Sequence, residues 1–251
     1  MTSPPRSTSS QNRVTEAVIL MAGSGSRLRG SDNTFLKPLL SIGGRPLISY
    51  TLDALVKAGI RTINAVVGFE SERLRAAMIE LVPPRTEMRF IENPEWQKQN
   101  GISLLAAKQV EAPFVLTMSD HLFDQVILER LIEVADLPQL NVAIDRKIDS
   151  IFDLDDAMKV QTRDDRIVAI GKTLKRYDAI DIGLFVCPLE IFDYLERAKR
   201  NGDCSLADGV RSMAEHDKVR AIDIGDACWQ DVDTPAMLRQ AEDKLKDRAK
   251  N

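Results

Sequence analysis

The sequence predicts an α/β fold: a mostly parallel sheet with helices packed on both faces and a small antiparallel or mixed insertion. Short β-branched apolar runs alternate with segments of helical period as far as Met118. The first of these runs ends abruptly in a Gly/Ser-rich turn, and beyond residue 140 the rhythm changes to short strands parted by charged turns. Strand, helix, strand at this spacing marks βαβ units, because parallel strands need a long crossover that a helix fills.

Taken in order, residues 1–13 (MTSPPRSTSSQNR) lack apolar periodicity and are expected to be a disordered tail, leaving a single domain over 14–251. Residues 14–21 read as a strand buried on both faces, β-branched at Val14, Val18 and Ile19. Pro46 suits a first helical position, and Leu47, Tyr50, Thr51, Ala54, Leu55 and Ala58 recur on one helical face until Gly59. A strand over 63–67, a helix over 70–81, a strand over 88–91, a helix over 103–110 and a strand over 114–118 follow. Short strands at 143–144, 159–161, 167–170 and 182–186 make up the changed region. Helices near 188–200 and 205–215, a strand near 219–224 and a helix from Pro235 close the chain. The charged mixture over 239–250 reads as the solvated face of that last helix.

Composition narrows the function. With 251 residues, 34 Lys+Arg against 38 Asp+Glu and 44% hydrophobic residues, the chain is an ordinary globular one with a formal charge of −4. A basic surplus for nucleic acid is missing, although a local basic pocket for a phosphorylated small molecule is not excluded. No apolar run approaches the roughly 18–20 residues that span a bilayer, and the run at 17–22 is too short for a signal sequence of about 7–15 apolar residues. Cys187, Cys204 and Cys228 are scattered without metal-ligand spacing and read as reduced thiols, so a cytoplasmic setting is expected.

In open parallel sheets ligands lie beyond the carboxyl ends of the strands. The loop after the first strand is Met21-Ala22-Gly23-Ser24-Gly25-Ser26-Arg27-Leu28, with Lys37-Pro38 following. The dinucleotide fingerprint fails because Leu28 stands where a third Gly is needed. The P-loop pattern also fails, since Ser31 replaces its Lys after Gly25 and Gly30. There remains a Gly-rich turn whose N–H groups can face a triphosphate, with Arg27 and Lys37 as fixed positive charges.

Asp120 ends an apolar strand, and Asp231 and Asp233 precede the last helix. Such carboxylates suit Mg²⁺ beside phosphates. They equally suit helix capping, with Asp120 serving the segment after Leu122 and Thr234-Pro235 opening the last helix. Trp229 reads as core packing rather than as a platform for a base.

The runs AVILMAGSGSRL…FLKPLL, MSDH and DVDTP resemble the sugar-phosphate nucleotidyltransferases, the MobA-like NTP transferases. NPEWQKQNGISLLAA (93–107), MSDHLF (118–123) and IGKTLKRYDAIDIGLFV (170–186) further resemble the cytidylyltransferases that act on inositol-1-phosphate. The resemblance runs in order along nearly the whole chain. It implies a Rossmann-like three-layer fold of the nucleotide-diphospho-sugar transferase type. It also implies Mg²⁺-dependent transfer of CMP from CTP to a phosphorylated polyol, with an acceptor-binding region over about 140–200.

In that reading Ala22, Gly23, Ser24, Gly25 and Arg27 wrap the triphosphate, and Lys37 stabilises the transition state. Asn100, Gly101 and Ser103 lie by the base and ribose, while Asp120, Asp233 and Asp231 hold the metal. Lys172 meets the acceptor's phosphate, and His121, Asp178, Asp181 and Gly183 line the acceptor pocket. His121 is weighed as a positioning group rather than a base, because a phosphomonoester is already a nucleophile near neutrality. A homodimer is a family-level expectation. Some relatives join this domain to a membrane alcohol-phosphatidyltransferase; without such a span, this chain is expected to act alone. The alternatives are phosphocholine, a phosphonate or a hexose-1-phosphate as acceptor, or a non-catalytic nucleotide-binding regulator. A dinucleotide-dependent oxidoreductase is disfavoured by the missing Gly.

Overall fold

The structure, a computed structural model, describes residues 14–29, 35–111 and 113–248. The expected tail at 1–13 lies outside these residues, as do Asp32 and Asn33. Among the described residues the chain runs β1 (Glu16–Leu20), α1 (Ser26–Arg29), the hairpin β2 (Ser41–Ile42) and β3 (Arg45–Pro46), α2 (Leu47–Lys57), β4 (Thr62–Val67), α3 (Ser71–Ile79) and β5 (Glu87–Glu92). It continues through α4 (Asn100–Ala106), β6 (Phe114–Met118), β7 (His121–Phe123), α5 (Gln125–Val134) and β8 (Leu140–Asp145). Then come β9 (Lys159–Arg163), β10 (Arg166–Gly171), β11 (Ala179–Cys187), α6 (Ile191–Ala198), α7 (Leu206–Ala214), β12 (Val219–Asp223), β13 (Trp229–Asp231) and α8 (Pro235–Arg248).

One sheet of the described residues orders its strands β5-β4-β1-β6-β11-β8-β12-β10-β9. The β5, β4, β1 and β6 quartet is parallel, as is the β8–β12 pair, whereas β11 and β10 run against their neighbours. Alternation along β1 explains the layering. Val18 and Leu20 face the cluster built on α4, α6 and α7, while Ala17 and Ile19 face the cluster built on α2, α3 and α5. Each strand of a doubly covered sheet must therefore be apolar at both parities, which is why β1 reads as an unbroken apolar run.

The antiparallel strands do not form a separate lobe sheet; they extend the same one. β11 sits between β6 and β8 at its C-terminal half, and its N-terminal half pairs with β9. A bulge at Gly183 (φ 72°) lets it change partners. This bend brings Asp181 to the edge where the parallel strands end.

Three expectations shift. Pro46 is not the first helical residue: it pairs with Ser41 in the β2–β3 hairpin, and α2 starts at Leu47. α4 begins at Asn100 and not at residue 103, because the Asn100 carboxamide accepts the Leu206 N–H at 2.8 Å and ties its first turn to α7. Residues 107–110 then form tight turns. The β7–β13 ribbon and the β2–β3 hairpin are absent from the sequence reading, since strands of two or three residues show no period.

Candidate active site

The β7–β13 ribbon brings together two points of the chain more than a hundred residues apart. Asp231 stands opposite His121, Trp229 stands opposite Phe123, and the Val232 N–H donates to the Asp120 carbonyl at 2.9 Å. Asp120 and Asp233 are thereby set side by side at the carboxyl end of β6. The 3₁₀ turn at Lys37–Leu39 delivers Lys37 between them. Its ammonium donates to Asp120 Oδ2 at 2.6 Å and also to Asp233 Oδ1.

Gly25 makes this approach feasible. Its φ is 61°, and a Cβ there would lie 2.8 Å from the Lys37 Cβ. A side chain at Gly25 is thus excluded twice, by backbone conformation and by the lysine.

The ion pairs continue on both sides. Arg27 bonds Asp233 and Asp156, each at 2.7 Å, and Lys172 bonds the second oxygen of Asp156. At the other end, Asp120 Oδ1 meets His121 Nδ1 at 2.6 Å. The result is an alternating chain of charge: Lys172, Asp156, Arg27, Asp233, Lys37, Asp120, His121. It lies along a cleft of about 950 Å³ that the expected loops line.

Burial alone would lower the Lys37 pKa, but Asp120 and Asp233 outweigh it and raise it, so the ammonium persists. Burial would likewise raise Asp120; Lys37 and His121 reverse that and hold it well below the usual carboxylate range. His121, desolvated yet beside Asp120, is raised and favours the imidazolium. Among the described residues no cation hydrogen-bonds Asp181. Burial pushes it up to about 6, against the Gly183 N–H bond at 2.8 Å and the charge of His121. Asp231 is raised by burial and by Asp233 and Asp120, with His121 opposing.

Of the residues singled out from sequence, Ala22, Gly23, Ser24, Gly25, Arg27, Lys37, Asn100, Ser103, Asp120, His121, Lys172, Asp181, Gly183, Asp231 and Asp233 line this cleft. Two others lie apart from the residues that line it. Gly101 is not at the cleft; it faces the start of α7, where a Cβ would lie 2.6 Å from the Cys204 carbonyl oxygen. Asp178 is not at the cleft either; it accepts from the Thr162 N–H and hydroxyl and from Arg146, which joins β9 to the loop after β8.

Asn100 and Ser103 lie at the wall, but the Asn100 carboxamide oxygen is engaged by α7 and Ser103 Oγ accepts from Asn93 at 3.0 Å. Capping of the α5 start by Asp120 is also corrected, since both its oxygens are used by Lys37 and His121. Thr234 does open α8, its hydroxyl accepting the Met237 N–H.

Trp229 is more than packing: it lines the cleft, stacks near His121 and donates Nε1–H to buried Asp145 at 2.9 Å. Asp156 went unnoticed in sequence, because in the acidic run DLDDAM nothing local distinguishes it from a solvated turn residue.

Among the described residues no group of three or more Asp, Glu, His or Cys side chains is arranged to hold a metal unaided. Asp120 and Asp233 nevertheless share one cation. That donor pair fits Mg²⁺ in the manner usual for this ion, which takes one or two carboxylates together with phosphate oxygens.

A doubly covered sheet thus carries a cationic Gly loop and paired carboxylates at its carboxyl end. The chain belongs to the MobA-like NTP transferase family, whose domain pattern matches residues 17–150. It is 35% identical over 233 residues to a "Bifunctional IPC transferase and DIPP synthase" of Thermococcus kodakarensis, covering 91% of this chain and 50% of that one. A "CMP-5'-(3-aminopropyl)phosphonate synthase" of Streptomyces rubellomurinus is 30% identical over 247 residues, 90% of this chain and 38% of that one. The solved inositol-1-phosphate CTP transferase from T. maritima superimposes with a TM-score of 0.82 at 26% identity, covering 94% of this chain and 98% of that chain. The chain spans about half the length of the first curated relatives it matches. No helix of the described residues is long and apolar enough to cross a membrane.

Proposed function

We propose that this chain is a cytidylyltransferase that transfers CMP from CTP to a phosphorylated polyol, inositol-1-phosphate, releasing pyrophosphate. The observation that carries the reading is Lys37, fixed between Asp120 and Asp233 beside the Gly23–Arg27 loop. The name of the T. maritima structure, an inositol-1-phosphate CTP transferase, supports the choice of nucleotide and acceptor.

An acceptor phosphate oxygen attacks the α-phosphorus of CTP, the bond from that phosphorus to the β-bridging oxygen breaks, and pyrophosphate leaves. Little covalent work falls to the protein, so catalysis rests on positioning and charge. The loop Ala22–Arg27 and Arg27 itself bind the triphosphate. Lys37 is aimed at the charge that grows on the transferred phosphoryl group. Lys172 orients the acceptor's phosphate. His121, its Nδ1 fixed by Asp120 and its Nε2 against Gly183, positions the acceptor without removing a proton. Asp120 and Asp233, with Asp231 beside them, would hold Mg²⁺, which supplies neutralisation of phosphate charge.

A phosphonate acceptor is a second reading, favoured by the likeness to the S. rubellomurinus enzyme. The test is pyrophosphate release on mixing the protein with each NTP and a panel of phosphorylated polyols, phosphonates and hexose-1-phosphates. CTP with inositol-1-phosphate is expected to respond; response only with UTP or GTP, or with no acceptor at all, would sink the proposal.

A further inference from the structure

Two cations from opposite walls of the cleft converge on one carboxylate. Arg27 comes from the loop after β1 and Lys172 from the turn after β10, and Asp156 accepts from both, one oxygen to each. Such a convergence of guanidinium and ammonium is the chemistry that recognises a phosphoryl oxygen pair. Asp156 is an intramolecular anion standing where such a group would bind.

Its placement is built. Lys159 is buried, and its ammonium donates to the carbonyls of Leu154 at 2.7 Å, Asp155 at 3.4 Å and Lys172 at 3.0 Å. One side chain thereby locks the backbone just before Asp156 to that of Lys172, so carboxylate and ammonium are presented as a unit. Burial of Asp156 is outweighed by Lys172 and Arg27, which hold it below the ordinary carboxylate range and keep it charged.

We infer that Asp156 is an affinity-setting residue: a phosphate bound between Arg27 and Lys172 must displace its carboxylate, so Asp156 weakens anion binding and holds the two cations apart from solution anions until substrate arrives. The inference rests on the assignment of Arg27 and Lys172 to phosphate groups. Both cations and Asp156 are partly exposed, so each pair is of the weak, exposed kind and the displacement is modest. Neutralising the carboxylate should tighten phosphate binding by roughly three- to tenfold.

The test titrates inorganic pyrophosphate into the intact chain by calorimetry at low ionic strength, for the natural protein, Asp156→Asn and Asp156→Glu. Tighter binding by Asp156→Asn, with Asp156→Glu near the natural value, is the expected result. Unchanged or weaker binding by Asp156→Asn overturns the inference, because the carboxylate would then organise the cations rather than compete for them. Lys172→Met in the Asp156→Asn background should abolish the gain, and a gain that survives it also overturns the inference. If Asp156→Asn unfolds, the same comparison is made with Asp156→Ser. Pyrophosphate binding reports on the cations alone. Tightening without any CTP turnover would therefore leave the inference standing while the proposed activity falls, and turnover without tightening would do the reverse.

Discussion

Lys37→Met keeps the length of the side chain and deletes the cation that joins Asp120 to Asp233. Each carboxylate keeps a second partner, Asp120 with His121 and Asp233 with Arg27, so neither is stranded. Exposed ion pairs contribute about 0–1 kcal/mol, and breaking a buried pair costs about 3–5 kcal/mol. Lys37 is nearly buried, whereas the carboxylates retain some solvent contact, which places the loss between these limits, at about 1–3 kcal/mol. The kinetic effect is larger. A donor aimed at transition-state charge is worth roughly 10²–10³ in rate, and kcat should fall by that factor while the KM for CTP moves far less. Chemical denaturation gives the first quantity, and pyrophosphate release at saturating CTP gives the second. A folded variant with nearly the natural kcat would refute the role given to Lys37, and a proportional loss in KM alone would demote it to ground-state binding.

Other perturbations test separate parts of the site. Gly25→Ala forces a Cβ to 2.8 Å from Lys37 in a left-handed backbone, and should cost about 1–3 kcal/mol in stability and also lower kcat; an activity equal to the natural one contradicts the packing. Gly183→Ala places a Cβ 2.6 Å from His121 Nε2, so the ring must move, and the His121 NMR titration should shift; an unmoved titration refutes the contact. Asp181 titrates near 6 in the fold against 3.8 ordinarily, so its contribution to stability is complete below pH about 4 and is lost as pH rises through 6. Asp181→Asn should therefore gain on the natural protein between pH 5 and 7.5 by about 1–1.5 kcal/mol, the part of the shift not already lost by pH 5, in denaturation curves at the two pH values; an equal difference at both would place the Asp181 pKa elsewhere.

The parallel half of the fold was legible because burial on both faces writes continuous apolar runs at β1, β4 and β6, and long crossovers write helical periods. The helix boundaries were less so: α4 starts where Asn100 finds a distant backbone partner, which no local pattern records. Of the site, the Gly25, Arg27 and Lys37 group was readable, since phosphate chemistry demands those types near a strand end. The carboxylates Asp120 and Asp233 were readable as candidates from the residues and as neighbours only through the family resemblance, because the β7–β13 ribbon that joins them is three residues long on each side. DAIDIG presents two acids three residues apart, and no local pattern records that Asp181 lines the cleft while Asp178 turns to Thr162 and Arg146. Trp229 and Asp145 were invisible as a pair, being coupled only through tertiary contact.

The central claim is that the cations and carboxylates gathered at the carboxyl end of the sheet surround one nucleotide triphosphate. A crystal structure with CTP and Mg²⁺ examines it most directly. The expected complex has the α-phosphate against Lys37, the metal taken by Asp120 and Asp233, and Arg27 turned from its acid partners to the phosphates. A nucleotide seated elsewhere, with Lys37 still bridging the two aspartates, would contradict it.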